Sequence, residues 1–172
     1  MTRLLLGLFL LIATESLAAD PFATLMLSRL DAGAQTPTFH LSTIDGTTVD
    51  SKQLSGKVVL LNFWATWCGP CKEEMPSFER LRGKFPPEQL LILAVTTDIR
   101  PREIKAFWKQ LGLRFDVLLD EQEELSERLM IRNLPTTILV DAHGRIQGRG
   151  MGPRQWDSPE AIALIRSLLL HP

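Results

Sequence analysis

The run Val58-Val59-Leu60-Leu61-Asn62-Phe63-Trp64 is apolar at every position but one, and rich in β-branched and aromatic side chains. A strand of this composition, with no polar alternation, has to be covered on both faces. Helices must therefore lie on two sides of a sheet, and the surrounding chain supplies them. A helical pattern follows with Met75, Phe78, Leu81 and Phe85 on one face, stopped by Gly83 and the Pro86-Pro87 pair. Leu90–Thr96 is a second buried-strand run. Pro101 opens a helix whose apolar face is Ile104, Phe107, Trp108 and Leu111, with Gly112 at its end. Val117-Leu118-Leu119 is a short strand. Asp120 and Glu123 then form an Asp-x-x-Glu capping signature before a helix through Leu125 and Leu129. Residues 136–140 and 145–149 read as two strands joined across Asp141-Ala142-His143-Gly144. Ser158 as N-cap and Pro159 at the first helical position begin a last helix with Ile162, Ile165 and Leu169 inward. Upstream, residues 38–42 alternate, Asp45-Gly46 supplies a turn and Thr47-Thr48-Val49 returns as a hairpin. The expectation is an α/β fold: a mixed central sheet, flanking helices and an N-terminal β-hairpin extension.

The first nineteen residues read differently. Arg3 precedes an apolar stretch from Leu4 to Ala13, and Thr14-Glu15-Ser16-Leu17-Ala18-Ala19 turns polar and small. A positive start, a short apolar run and a small-x-small site, best at Ser16-x-Ala18, form a secretory leader. Residues 1–19 are therefore expected to be a signal peptide, with an uncleaved anchor as the alternative; the run is shorter than the roughly 20 apolar residues of a membrane span. Residues 20–36 are a lead-in with Phe22, Leu25, Met26 and Leu30 at roughly helical spacing, and 37–172 form one domain. The expected location is periplasmic or otherwise extracytoplasmic. A net charge of −1 gives no electrostatic footprint for nucleic acid.

Both cysteines of the chain lie in Trp67-Cys68-Gly69-Pro70-Cys71, between the buried strand and a helix start. Exported proteins that use disulfides as staples spread them along the chain. A bridge closing so small a ring removes little entropy from the unfolded chain. A zinc site needs about four ligands, and His40, His143 and His171 are scattered. No metal and no cofactor are therefore expected. A helix N-terminus favours a thiolate, through its unpaired N–H groups and positive dipole end. Cys68 is accordingly the expected exposed nucleophile, and Cys71, one turn on and less exposed, the thiol that resolves a mixed disulfide.

The stretch from Val59 through Asn62, Trp67-Cys68-Gly69-Pro70-Cys71 and Glu73-Glu74-Met75-Pro76 resembles the TlpA/ResA branch of the thioredoxin superfamily, and the similarity runs from about Pro37 to the C-terminus. The resemblance implies a thioredoxin-like fold and an exported or membrane-tethered reductase, with cytochrome c maturation among the roles of such proteins. Leu134-Pro135-Thr136 resembles the family's cis-proline loop, which offers backbone to the substrate chain; an ordinary loop proline is the alternative. Glu74 stands where ResA-like reductases carry an acidic residue that tunes thiol protonation, although the helix dipole alone also favours a surface glutamate there. Asn62 replaces the buried aspartate of thioredoxin, and an amide cannot relay a proton. Trp67 is expected to cover the dithiol and add to a flat apolar docking surface. Trp67, Gly69, Pro70, Leu134 and Pro135 are thus the expected substrate-binding positions, with Cys68, Cys71 and Glu74 the catalytic ones.

The partners expected are a protein disulfide, apocytochrome c being one candidate, and a membrane electron donor of the CcdA/DsbD kind, with the chain itself a monomer. Two other functions use the same thiols. A Cu(I) carrier suits soft sulfur ligands, but the copper-delivery relatives space their cysteines more widely and add a histidine. A peroxidase would show Pro-x-x-x-Thr-x-x-Cys before Cys68, and it does not.

Overall fold

The computed structural model describes residues 20–30 and 33–170. The leader expected over residues 1–19 lies outside them. Eight strands form one mixed sheet: β1 (Ser28–Arg29), β2 (His40–Thr43), β3 (Thr48–Asp50), β4 (Val58–Phe63), β5 (Leu90–Thr96), β6 (Asp116–Leu119), β7 (Thr136–Val140) and β8 (Ile146–Met151). Their order is β1-β8-β7-β4-β5-β6-β2-β3. β4 runs parallel to β5, and β5 to β6, while the β7–β8 and β2–β3 hairpins add antiparallel margins. The helices are α1 (Pro21–Thr24), α2 (Gly69–Arg82), α3 (Pro101–Leu111), α4 (Glu124–Arg128) and α5 (Pro159–Leu170).

The two-residue period of a strand decides what β4 gives to each side. Val58, Leu60 and Trp64 join the core beneath α2, α3 and α5, with Met75, Phe78, Leu81, Ile104, Trp108, Leu164 and Leu168. Val59, Leu61 and Phe63 join a second core with Leu125, Leu129 and Ile138. All six β4 residues are buried, as the missing alternation requires. The same parity turns Asn62 toward α2.

Four details depart from the sequence reading. The lead-in forms one helical turn and then β1, which pairs with β8; Phe22, Leu25 and Leu27 are buried, while Met26, at φ 51°, faces solvent. Asp120 does cap α4, but from a distance. Its carboxylate accepts from the N–H groups of Leu125 (3.1 Å) and Ser126 (2.8 Å), while Glu123 takes a left-handed conformation and makes no side-chain cap. On α5 the buried stripe is Ala161, Leu164, Ile165 and Leu168, with Ile162 and Leu169 half-buried at its margins. A count of large side chains passes over Ala161, which is nonetheless buried. Leu111 is exposed, because Gly112 turns the chain left-handed before that face is covered.

Candidate active site

α2 starts at the dithiol itself. Cys68 is the N-cap residue, and the Cys71 N–H donates to its Sγ at 3.3 Å. The sulfur thus occupies the acceptor position that a serine or aspartate commonly fills, where helix N–H groups and the dipole favour negative charge. Gly69 and Pro70 form the exposed first turn, in which the missing proline N–H is not needed. Cys68 and Cys71 are joined in a disulfide. Cys68 is the more open of the two, though only 5% exposed, and Cys71 is fully buried. The expected order of access holds, but the exposure expected at Cys68 is slight.

The loop entering α2 is pinned from the end of β5. Trp64 N–H donates to Val95 O at 3.0 Å, and Thr66 N–H donates to Asp98 Oδ2 at 2.6 Å. Arg100 Nη2 reaches the Thr66 hydroxyl at 3.3 Å. Nothing in the sequence marks Asp98, thirty residues downstream of the motif, as part of this arrangement. Trp67, beyond the pinned residue, is 72% exposed beside the dithiol. It lines two clefts. One is shared with Phe63, Val95, Ile131 and Leu134; the other holds Lys72, Arg100 and Phe107. The Leu134–Pro135 bond is cis, and Gly152 N–H donates to the Pro135 carbonyl at 2.8 Å. Leu134 shares a cleft with Trp67, and Pro135 is buried.

Glu74 is not a surface residue. It falls on the same stripe of α2 as Cys71, Met75 and Phe78, and it is 1% exposed. Asn62 Nδ2 donates to its Oε1 at 2.8 Å and also to Thr137 Oγ1 at 3.1 Å. Trp156 Nε1 (3.2 Å) and Arg154 N–H (3.3 Å) donate to its Oε2. Burial pushes the Glu74 carboxyl up to about 7, against the pull of these donors and of the Arg154 charge toward the anion. Asn62 Oδ1 is buried with no partner. Asn62 and Glu74, read separately in the sequence, form one hydrogen-bonded pair a single turn from Cys71. Trp156 and Arg154 escaped the sequence reading; the parity of Asn62 along β4 was the available sign that a polar partner had to sit on α2. Among the described residues, no cluster of three His, Cys, Asp or Glu side chains is placed to hold a metal ion.

Residues 32–149 match the AhpC/TSA family. The chain belongs to that family. Within it, the chain is 38% identical over 125 residues to the thiol-disulfide oxidoreductase ResA of Halalkalibacterium halodurans, covering 73% of this chain and 70% of the relative. A crystal structure from Chlorobium tepidum, described as a putative thiol:disulfide interchange protein DsbE, superposes with a TM-score of 0.69 at 27% identity, covering 83% of this chain and 97% of that one. StoA of Bacillus subtilis superposes with a TM-score of 0.64 at 26% identity, covering 76% and 98%. The family assignment, these relatives and the Cys68–Cys71 pair at a helix start make this chain a thioredoxin-fold thiol–disulfide oxidoreductase.

Proposed function

We propose that the chain is exported and reduces disulfides in partner proteins, with Cys68 as nucleophile, Cys71 as resolving thiol and Glu74 as the acceptor of the Cys71 proton. The observation that carries this reading is the buried carboxyl of Glu74, raised to about 7 and held by Asn62, one turn from Cys71. A group titrating near neutral pH both accepts and returns a proton readily. Cys68 thiolate attacks one sulfur of the client disulfide, forming a mixed disulfide and expelling a client thiolate, which takes a proton from solvent. Cys71 thiol then gives its proton to Glu74, attacks Cys68 Sγ and expels the second client sulfur. Two electrons pass to the client, and the Cys68–Cys71 disulfide remains. Trp67 and Leu134 offer apolar surface to the client beside the sulfur, and the cis-proline loop offers its backbone.

The leader pattern of residues 1–19 supports export. Among the described residues, no helix is long and apolar enough to cross a membrane. In an oxidising compartment the dithiol needs an electron donor, for which a membrane protein of the CcdA/DsbD kind is proposed. Cytochrome c maturation is the proposed setting, with apocytochrome c as client. The test is the reduction potential together with trapping. A potential near that of thioredoxin, about −270 mV, is expected, and one near the strong oxidant DsbA, about −120 mV, reverses the direction of electron flow. Cys71→Ser in the native host should leave the client bound to Cys68, where mass spectrometry identifies it.

A further inference from the structure

Trp67 stands as a ridge between its two clefts, and their charges differ. On the cis-proline side, Glu123 and Arg132 contribute one formal charge of each sign. On the other side, Lys72 and Arg100 outnumber Glu103. Arg100 is already engaged: it pairs with Glu103 at 3.0 Å and Asp98 at 3.7 Å, and reaches the Thr66 hydroxyl. The Lys72 ammonium is not. Among the described residues it makes no ion pair and no hydrogen bond, and it lies 5.4 Å from the centre of the Phe107 ring. An aromatic face attracts a cation without neutralising it, so the three ammonium donors stay open to a ligand.

The walls of this cleft are fixed, and it begins beside the reacting sulfur. Phe107 stacks on Trp64 with ring centroids 5.6 Å apart, and Trp64 is itself buried just past the end of β4. Glu103, Ala106, Phe107 and Gln110 share one face of α3, three and four residues apart. Lys72 stands on the first turns of α2, where its N–H donates to Cys68 O at 3.3 Å. Glu73, its neighbour in the chain, lines the separate cleft over Glu74. The positive end of a helix disfavours a cation, so Lys72 is placed against its local electrostatics. An extended client chain advances about 3.3 Å per residue. A side chain one or two positions from the client cysteine therefore lies over this cleft while its sulfur meets Cys68.

We propose that Lys72 sets client specificity by receiving an aspartate or glutamate that lies, on one side, one or two residues from the cysteine attacked by Cys68. The substrate class is then an extended protein disulfide with an acidic flank. The inference rests on the reading of this chain as a reductase of protein disulfides and narrows its clients.

The test is the single-turnover oxidation of the reduced protein by disulfide-linked homodimers of one-cysteine peptides. The peptides differ only in carrying glutamate, glutamine or lysine at one of the two positions on either side of the cysteine. For each peptide, the rate constant of the parent divided by that of Lys72→Met cancels the effect of the flanking residue on the peptide's own sulfur. That ratio should be about three- to fivefold larger with glutamate than with glutamine, the size of one half-exposed ion pair. The difference should appear on one side of the cysteine only and shrink at high salt. Lys72→Glu should favour lysine at the same position. Equal ratios for glutamate and glutamine overturn the proposal, and so does a uniform fall for every peptide, which would assign Lys72 to the Cys68 thiolate. A preference of equal size on both sides also overturns it, because that marks long-range attraction between net charges. Equal ratios leave the reductase reading intact, whereas failure of the parent to reduce any peptide overturns that reading and this one with it.

Discussion

Replacing Glu74 by glutamine should remove a specific pH dependence from the stability of the oxidised protein. The carboxyl has an ordinary value of 4.5 and is raised to about 7 in the folded chain, with desolvation the largest cause. The folded state therefore binds this proton more tightly than the unfolded state does. The stability it contributes is complete below pH 4.5 and is lost as pH rises through about 7. At 1.36 kcal/mol per pH unit of difference, the gap corresponds to about 3 kcal/mol, a large share of a typical domain's stability. Urea unfolding at several values between pH 4 and pH 8 measures it. The parent should lose about 3 kcal/mol more than Glu74→Gln across that window and run parallel to it above pH 8. All other titrating groups are common to both proteins, so the difference between the curves isolates Glu74. Parallel curves throughout would refute the claim that this carboxyl is desolvated by the fold, and with it the physical basis for its role as a base at neutral pH.

Other outcomes follow from the loop that carries the dithiol. Asp98→Ala deletes a charge-assisted bond to the Thr66 N–H and should cost about 1.5–3 kcal/mol in urea unfolding, with faster hydrogen exchange at the Thr66 amide. Trp67→Ala removes a side chain already in solvent, so stability should stay within about 0.5 kcal/mol of the parent, while KM for a peptide disulfide rises about tenfold. An unchanged KM would take Trp67 out of the docking surface.

The parts of the fold legible in the sequence were those where one strand or helix carries its own pattern. β4 and β5 announce themselves as runs with a single polar position each, and α2 and α3 by their spacing and their glycine stops. The lead-in misleads because Phe22 and Leu25 fit a helical period that the chain keeps for one turn only. Leu27 belongs to the core through the pairing of β1 with β8, a contact made some 120 residues away in the chain. The active site divides the same way. Cys68 and Cys71 are local, and the helix start around them could be read directly. Glu74 looked equally at home on a surface, because its burial depends on Asn62 reaching across from β4 and on Trp156 and Arg154 arriving from the far end of the chain. Asp98 left no trace at all, since its partner is a main-chain N–H that any residue but proline would offer at position 66.

The sheet edges bear on the company this protein keeps. β1 is two residues long and β3 three, and both carry charge at the margin, Arg29 on one and Asp50 on the other. A client that reached a thiol–disulfide oxidoreductase before folding would carry extended segments able to pair with any open row of N–H and C=O groups. Edges this short give such segments almost nothing to zip against. A client can therefore be gripped at its sulfur and let go again, without being drawn into the sheet of the enzyme that serves it.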